Sequence, residues 1–238
     1  MVYRDSRREE GEEMINKKRF FTLSFVALTL VLIISGIAFI GKNGITGFVT
    51  TKVYIYENPP ANCSVTLHSG KNFVSFFCTL GGSINETLTD ANNNSINYTS
   101  IFTYAPGTND TWKSYNPSLP NWTVQDNIRI DRSAGYWIIM NHSEIYQKEG
   151  YKFYNTNLGL NTGWNLIGYP TSVTRNITEA LSQIDGKYTI VKSYQTINGT
   201  NQWLVYVPGS SSNTLNYMEP MHAYWVNANQ DTSITVNW

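Results

Sequence analysis

Residues 63–78 have the sequence CSVTLHSGKNFVSFFC, in which a glycine separates two stretches rich in apolar residues. Gly70 suits the first position of a two-residue type II′ turn, where φ is positive. Folding about this turn brings Cys63 opposite Cys78, and directly opposed residues on paired strands are close enough for a disulfide. The alternative is two free cysteines packed as small apolar residues. The predicted hairpin register pairs Leu67 with Val74, Val65 with Phe76, and Cys63 with Cys78.

The pattern of this stretch recurs in the second half of the chain. Residues 65–74, VTLHSGKNFV, align without gaps to residues 158–167, LGLNTGWNLI, and the two cysteines fall on Thr156 and Thr171. Further landmarks follow in the same order in both halves: Tyr104 and Tyr194, Trp112 and Trp203, Tyr115 and Tyr206, and the closing GYWI of residues 135–138 and AYWV of residues 223–226. So many coincident landmarks indicate an internal duplication.

The duplication predicts two tandem β-rich domains of the same fold, at residues 62–148 and 149–238. Short alternating runs separated by turn residues predict several strands in each unit. Ser83 or Asn85 in the first unit and Asn176 in the second are candidate N-caps for one short helix per unit. The predicted class is therefore mainly β and sandwich-like, with α+β character within each repeat.

Three motifs mark the duplicated region. They are GWNLIGYP at residues 163–170, the pair WKSYNP at 112–117 and WLVYVP at 203–208, and the closing GYWI at 135–138. Together they resemble a GWNLIxxP…WxxYxP…GYWI repeat of archaeal and bacterial cell-surface and secreted proteins. The first unit departs from that pattern at Lys71 and Phe77, and the second departs at Ala223. The resemblance implies an extracellular β-rich module and brings no catalytic residue or cofactor.

Residues 20–40, FFTLSFVALTLVLIISGIAFI, contain no charged residue. As a helix they match the roughly 30 Å hydrocarbon core of a bilayer. Basic residues lie mainly before this segment, which predicts a cytoplasmic N-terminus. We therefore predict a tail at 1–19, an uncleaved signal-anchor transmembrane helix at 20–40, and a juxtamembrane linker at 41–61 that includes a strand at 53–56. A cleaved signal peptide and a pilin-type leader are the alternatives.

Two features favour an extracytoplasmic location for the rest of the chain. One is the cysteine pair, because disulfides persist in oxidising compartments. The other is a set of N-x-[ST] sequons, all beyond the apolar segment, which are candidate glycosylation sites of a glycoprotein. They begin at Asn62, Asn85, Asn93, Asn97, Asn109, Asn121, Asn141, Asn176 and Asn198.

Signals for chemistry are sparse. Equal numbers of basic and acidic residues, 17 each, argue against a nucleic-acid partner. The sequence has no phosphate-binding loop or nucleophile elbow, and its three histidines, His68, His142 and His222, lack a zinc spacing. Asp90, Asn92 and Asn94 begin a calcium-loop pattern, but Ser95 and Ile101 replace its glycine and glutamate. We predict a protein that is not an enzyme, with no catalytic residue, metal or cofactor.

The aromatic residues allow two interpretations. Trp112, Trp203, Trp137 and Trp225 recur at equivalent repeat positions, and duplicated aromatics in small domains usually belong to the core. Flat aromatic faces can instead stack on sugar rings, and a concave strip of exposed aromatics would distinguish this case. Trp122 has no repeat partner, which makes it the possible ligand contact.

These observations lead to one principal functional hypothesis. The chain is predicted to be a membrane-anchored surface protein whose twin domains serve adhesion, envelope scaffolding or partner binding. Its expected partners are the membrane, through the N-terminal helix, and envelope proteins or glycans. A carbohydrate-binding module and a subunit of a pilus-like surface filament are the alternatives.

Overall fold

The computed structural model describes residues 38–41, 44–48, 60–89, 94–120 and 122–238. The chain forms two compact units, Met1–Glu57 and Asn58–Trp238. Several predicted features lie outside the described residues: the tail at 1–19, most of the predicted membrane segment, the strand at 53–56, Asp90 and Asn92 of the calcium-loop pattern, and the sequons at Asn93 and Asn121.

In the first unit, strand β1 (Ala38–Gly41) pairs antiparallel with β2 (Gly44–Phe48). The last three residues of the predicted helix, 38–40, are thus in a strand, as are residues 44–48 of the predicted linker, and the membrane anchor itself stays a prediction. Periodicity alone does not distinguish a short buried strand from a helix, and the glycines at both ends of the connection favour a reversal of the chain.

No helix within the described ranges is long and apolar enough to cross a membrane.

The second unit is mainly β and consists of two repeats. The strands of the first repeat are β3 (Pro60–Leu67), β4 (Gly70–Val74), β5 (Gly82–Ser83), β6 (Tyr98–Tyr104), β7 (Trp112–Tyr115), β8 (Arg129–Ile130), β9 (Tyr136–Met140) and β10 (Glu144–Tyr151). The strands of the second repeat are β11 (Asn155–Leu160), β12 (Gly163–Gly168), β13 (Arg175–Asn176), β14 (Tyr188–Ile197), β15 (Thr200–Tyr206), β16 (Tyr217–Met218), β17 (Ala223–Ala228) and β18 (Thr232–Asn237).

Both repeats have the same strand order. The first has a four-stranded sheet β4-β9-β6-β7, a two-stranded sheet β10-β3 and a short pair β5-β8. The second has β12-β17-β14-β15, β11-β18 and β13-β16. The registers also agree, because Gly70 pairs with Met140 in the first repeat and Gly163 with Ala228 in the second. Contacts between the repeats join them into one compact unit, and their division into separate domains at residue 148 stays a prediction.

The predicted hairpin of residues 63–78 is wrong, whereas its disulfide is present. Strand β3 pairs with β10 and strand β4 pairs with β9, so the two strands belong to different sheets. Gly70 still reverses the chain with a φ of +86°. Inward-facing residues of the two sheets then meet across the core, and Cys63 and Cys78 are bonded with their Cα atoms 6.1 Å apart. Alternating apolar residues on both sides of a turn are typical of a hairpin. They are equally typical of an arch, in which the two strands belong to facing sheets and both point their apolar residues into the core between them.

The core of each repeat lies between its two-stranded and four-stranded sheets. In the first repeat, buried Leu67 and Tyr146 of the smaller sheet pack in one cluster with Ile101 and Ile138 of the larger sheet. The second repeat has the corresponding cluster, which includes Leu158 and Ile234 on one side and Val191 and Val226 on the other. Both clusters consist of buried hydrophobic residues, and they account for the packing of the two layers.

One short helix per repeat begins as predicted. Helix α1 (Ile84–Thr87) is capped by Ser83, whose side chain accepts the backbone N–H of Glu86, while the Glu86 carboxylate accepts the N–H of Ser83. This reciprocal capping box lowers the pKa of Glu86. Helix α2 (Ile177–Ala180) is capped by Asn176.

Candidate functional site: an aromatic cleft between the repeats

The tryptophans of the GYWI and AYWV motifs point away from the repeat cores, because successive side chains of a strand lie on opposite faces of the sheet. Tyr136 and Ile138 are fully buried in the first core, so Trp137 between them lies on the opposite face of the sheet. In the second repeat, Tyr224 and Val226 are fully buried in the core, and Trp225 takes the outward position. The outer face of each four-stranded sheet is therefore aromatic.

These two outer faces pack against each other with pseudo-two-fold symmetry. Val74 bridges to His222, and the symmetry-related bridge joins Ala134 to Ile167. The hydrogen bonds agree: the N–H of Ser75 donates to Met221 O at 3.0 Å, and the N–H of Gly168 donates to Ser133 O at 2.8 Å. The centre of the interface contains buried Phe73, Leu166 and Ala223, with half-buried Tyr104, Trp137, Tyr194 and Trp225 against them.

The aromatic contacts follow the same symmetry. Trp137 of the first repeat lies 5.2 Å from Tyr194 and 5.9 Å from Trp203 of the second, measured between ring centroids. Reciprocally, Trp225 of the second repeat lies 5.2 Å from Tyr104 and 5.7 Å from Trp112 of the first. Each repeat thus inserts one tryptophan between two aromatics of the other.

One end of this interface opens into a cleft of about 600 Å³, which we call the aromatic cleft. It is lined by Tyr104, Trp112, Trp164, Lys192, Trp203, Val205 and Trp225. Three of its tryptophans remain well exposed: Trp112 at 49%, Trp203 at 46% and Trp164 at 37%. A concave surface with so much exposed aromatic area is uncommon on a protein without a binding partner.

Register explains why these side chains share one face. Trp225 lies between Leu166 and Lys192 in a cross-strand row, and Lys192 pairs with Val205 on the edge strand. Trp203 lies two residues from Val205 and therefore points to the same side. The cleft is thus built mainly on rigid strands of the second repeat, with Tyr104 and Trp112 added by the first.

A second, smaller cleft of about 390 Å³ shares Trp203 with the aromatic cleft. It is lined by Lys71, Phe102, Trp137, Ile139, Tyr194 and Trp203. Lys71 occupies the repeat position of Trp164, and Phe102 occupies that of Lys192. The aromatic cleft thus has tryptophan at the first of these positions and lysine at the second, whereas the smaller cleft has lysine at the first and phenylalanine at the second. Each cleft therefore contains one lysine.

Lysines provide the only formal charges among the residues that line these clefts. Lys192 Nζ lies 5.3 Å from the centroid of the Trp164 ring, a cation–π geometry. In contrast, Lys113 on strand β7 contacts Asp110 at 2.5 Å and Asp126 at 3.5 Å. The aspartates near strand β7 are thus engaged with Lys113 and line neither cleft.

The core assignment of the repeated tryptophans is corrected by this geometry. Trp112 and Trp203 are about half exposed, and Trp137 and Trp225 are half-buried between the repeats, outside the repeat cores. The reason is the alternation of strands, since the neighbouring tyrosines occupy the core side. Trp122 is 84% exposed, as expected for a contact residue, but it lines neither cleft.

The remaining candidate residues lie apart from the clefts. All seven sequon asparagines that the structure describes are exposed: Asn62, Asn85, Asn97, Asn109, Asn141, Asn176 and Asn198. Their glycosylation stays a prediction. Within the described residues, no group of three or more His, Cys, Asp or Glu side chains could hold a metal ion. His222 Nδ1 lies 2.9 Å from Pro220 O, and His142 lies 4.0 Å from Glu144.

Comparison with known proteins found no match to a family model, to a curated protein or to a solved structure.

Proposed function

We propose that the protein is a carbohydrate-binding surface protein whose aromatic cleft stacks against sugar rings of a glycan. The observation that carries this proposal is the exposure of three tryptophans, Trp112, Trp164 and Trp203, in one concave site. The apolar face of a pyranose ring gains dispersion contacts on a flat indole, while its hydroxyls stay in water. A shallow cleft with rigid aromatic walls suits such a ligand, because little side-chain entropy is lost on binding.

The proposal includes the display of this cleft outside the cell. The apolar segment at 20–40, the sequons and the disulfide support a membrane-anchored protein with a cytoplasmic N-terminus. The resemblance to repeats of archaeal and bacterial surface proteins supports the same location. Protease added to intact cells should digest the chain beyond residue 45 and spare the tail, and protection of the large C-terminal part would exclude this topology.

Binding without turnover is part of the proposal. The lining of the aromatic cleft contains no carboxylate or imidazole that could act as a general acid or base. Its role would therefore be attachment of the cell or the envelope to a glycan. Tethering to a membrane favours this role, since a second protein copy engages the same polymer at high effective concentration.

The test is retention of the full-length protein, purified in detergent, by immobilised polysaccharides. Trp164→Ala and Trp203→Ala should each weaken binding about tenfold, as expected for the loss of a central aromatic contact. Trp122→Ala is the matched control, because Trp122 is exposed but lines neither cleft. Binding that is lost with Trp122→Ala and kept with the two cleft variants would exclude the aromatic cleft as the site.

A second candidate function, adhesion to a protein, is favoured by the loop between β7 and β8. Leu119, Trp122 and Val124 in this loop are exposed by 41%, 84% and 97%. The corresponding loop of the second repeat, residues 207–216, has the sequence VPGSSSNTLN and is mostly polar. If the loop binds a protein, replacing Trp122 and Val124 by serine should abolish cell attachment while glycan binding remains.

A further inference from the structure

We infer that the glycan bound by the two clefts is acidic, with carboxylate or sulfate groups placed along the chain to meet Lys192 and Lys71. This inference rests on the proposed function and adds the chemical class of the ligand. It starts from the fact that each cleft contains one lysine and no acidic residue.

The first argument is the environment of Lys192. This side chain is half-buried in the cleft, and its Nζ lies 5.3 Å from the Trp164 ring centroid. No carboxylate within the described residues forms an ion pair with it. An ammonium group held over an aromatic wall, without a protein anion, is ready to bind an anion brought by a ligand.

The second argument is the pseudo-symmetric exchange between the clefts. A duplicated site would have the same residue at positions 71 and 164 and at positions 102 and 192. Instead, the lysine is at position 192 in one cleft and at position 71 in the other. The positive charge is therefore kept in each cleft although it has moved to a different strand.

The third argument is the continuity of the two clefts. Trp203 lines both, so a polymer that lies across its indole and extends into both clefts would meet Lys192 in one and Lys71 in the other. Neutral sugars would gain only the aromatic contacts. A polyanionic sugar would gain these contacts and two charge-assisted contacts, in a part of the surface where acidic residues do not compete.

The experiment compares two matched polymer pairs on the full-length protein in detergent. Polygalacturonate is paired with its carboxyl-reduced form, and dextran sulfate is paired with dextran. At low ionic strength, the acidic polymer of at least one pair should bind at least about fivefold more tightly than its neutral partner. Added salt should reduce this difference in affinity. A preference in the first pair alone identifies carboxylate, and one in the second pair alone identifies sulfate.

Variants separate specific recognition from general attraction. Lys192→Gln should weaken binding of the acidic polymer about two- to threefold, and adding Lys71→Gln should remove most of the remaining preference. Lys192→Arg should retain it. Lys187→Gln, which removes the same charge at a position outside both clefts, is the control.

The outcomes distinguish this inference from the proposed function. Equal binding of acidic and neutral polymers, or equal effects of Lys192→Gln and Lys187→Gln, would overturn the acidic preference and leave glycan binding in place. Tryptophan variants without effect on any polymer, or no binding to any polymer, would overturn both. Weaker binding of the acidic polymer by Lys192→Gln than by Lys187→Gln, with binding of the neutral polymer unchanged, would establish the inference.

Discussion

Asn72 and Asn165 occupy the same position in the two repeats and make the same hydrogen bonds. The Asn72 side-chain oxygen accepts the N–H of His68 at 2.8 Å, and its amide donates to the carbonyl oxygens of His68, Gly70 and Ile138. Asn165 makes the corresponding contacts to residues 161, 163 and 226. Both side chains are buried, and each ties the glycine turn to strand β9 or β17.

The first prediction tests this role. In Asn72→Asp, one carboxylate oxygen can still accept the N–H of His68. The other oxygen replaces the side-chain NH2 group, which donates to three backbone carbonyls in the native protein. The variant should lose about 2–4 kcal/mol of unfolding free energy, because a buried carboxylate facing carbonyl oxygens is unpaired. Asn165→Asp should behave alike. Asn157→Asp, at an exposed position, is the control, and equal denaturation midpoints for all three variants would contradict the prediction.

The second prediction concerns the disulfide and its counterpart. Thr156 and Thr171 take the positions of Cys63 and Cys78 and are buried, with 7% and no exposure. Replacing both threonines by cysteine should create a second disulfide, because the native bridge joins Cα atoms 6.1 Å apart in the same arch.

The gain should be close to the loop-closure value of about 3 kcal/mol, less two lost hydrogen bonds, from Arg132 Nε to Thr156 Oγ1 and from the Val173 N–H to Thr171 Oγ1. Non-reducing peptide mapping and denaturation with and without reductant would measure it. Two free thiols in the folded variant would show that the arches of the two repeats differ. Breaking the native bridge with Cys63→Ala and Cys78→Ala should cost a similar amount.

Sequence patterns predicted the class, the disulfide and the helix caps, but not the pairing of strands. The run around Gly70 has the alternation and turn glycine of a hairpin. Two strands that follow each other in sequence can pair with each other or can join different sheets. For β3 and β4 this choice depends on the distant strands β10 and β9, with which they pair. A local pattern does not contain those partners, so the fold class followed from the sequence while the topology did not.

The candidate site was missed for a related reason. Recurrence of Trp112 and Trp203 indicated a structural role, and the hydrophobic character of tryptophan then suggested the core. The alternation within residues 135–138 and 223–226 was the available signal, because Tyr136 and Trp137 cannot both face inward. That the outward faces would meet across the repeats, and leave a cleft, is a tertiary property that no local pattern contains.

The third prediction concerns alkaline pH. Burial raises the pKa of six tyrosines, and it raises that of Tyr98 to about 12. In the unfolded chain a tyrosine ionises near pH 10. A group whose pKa is raised by folding contributes its full stability below the unfolded pKa. The unfolding free energy should therefore stay constant up to about pH 9.5 and fall as the pH rises beyond 10.

Denaturant titrations over this pH range, with ultraviolet absorbance to detect tyrosinate, would measure the effect. Tyr136→Phe is the informative variant, since its hydroxyl accepts the N–H of Asp131 at 2.7 Å and donates to Arg129 O at 3.0 Å. It should lower stability by about 1–2 kcal/mol at neutral pH and flatten the alkaline decline. A decline that is unchanged in this variant, or no decline up to pH 12, would contradict the assignment.

The fourth prediction concerns the centre of the pseudo-two-fold interface, where Gly135 faces its own repeat equivalent, Ala223. A Cβ added at Gly135 would lie 2.8 Å from the Cβ of Ala223, 2.7 Å from Leu166 Cδ1 and 2.9 Å from the backbone oxygen of Ile167. The interface thus has room for one methyl group at this point. Gly135→Ala should lower the unfolding free energy by about 1–3 kcal/mol through overpacking.

A double-mutant cycle tests whether the two positions share this space. Ala223→Gly alone should cost about 1 kcal/mol, from a small cavity and added backbone freedom. Combined with Gly135→Ala, it removes the 2.8 Å contact with the Ala223 Cβ, so the loss in the double variant should be smaller than the sum of the single losses by at least about 0.5 kcal/mol. Leu166 can adjust its rotamer, whereas the Ile167 oxygen belongs to the backbone, and rescue should therefore be partial. Strictly additive losses would show that the repeats do not compete for this volume. Two copies of the second repeat would place alanine against alanine here, so the fit favours pairing of unlike repeats.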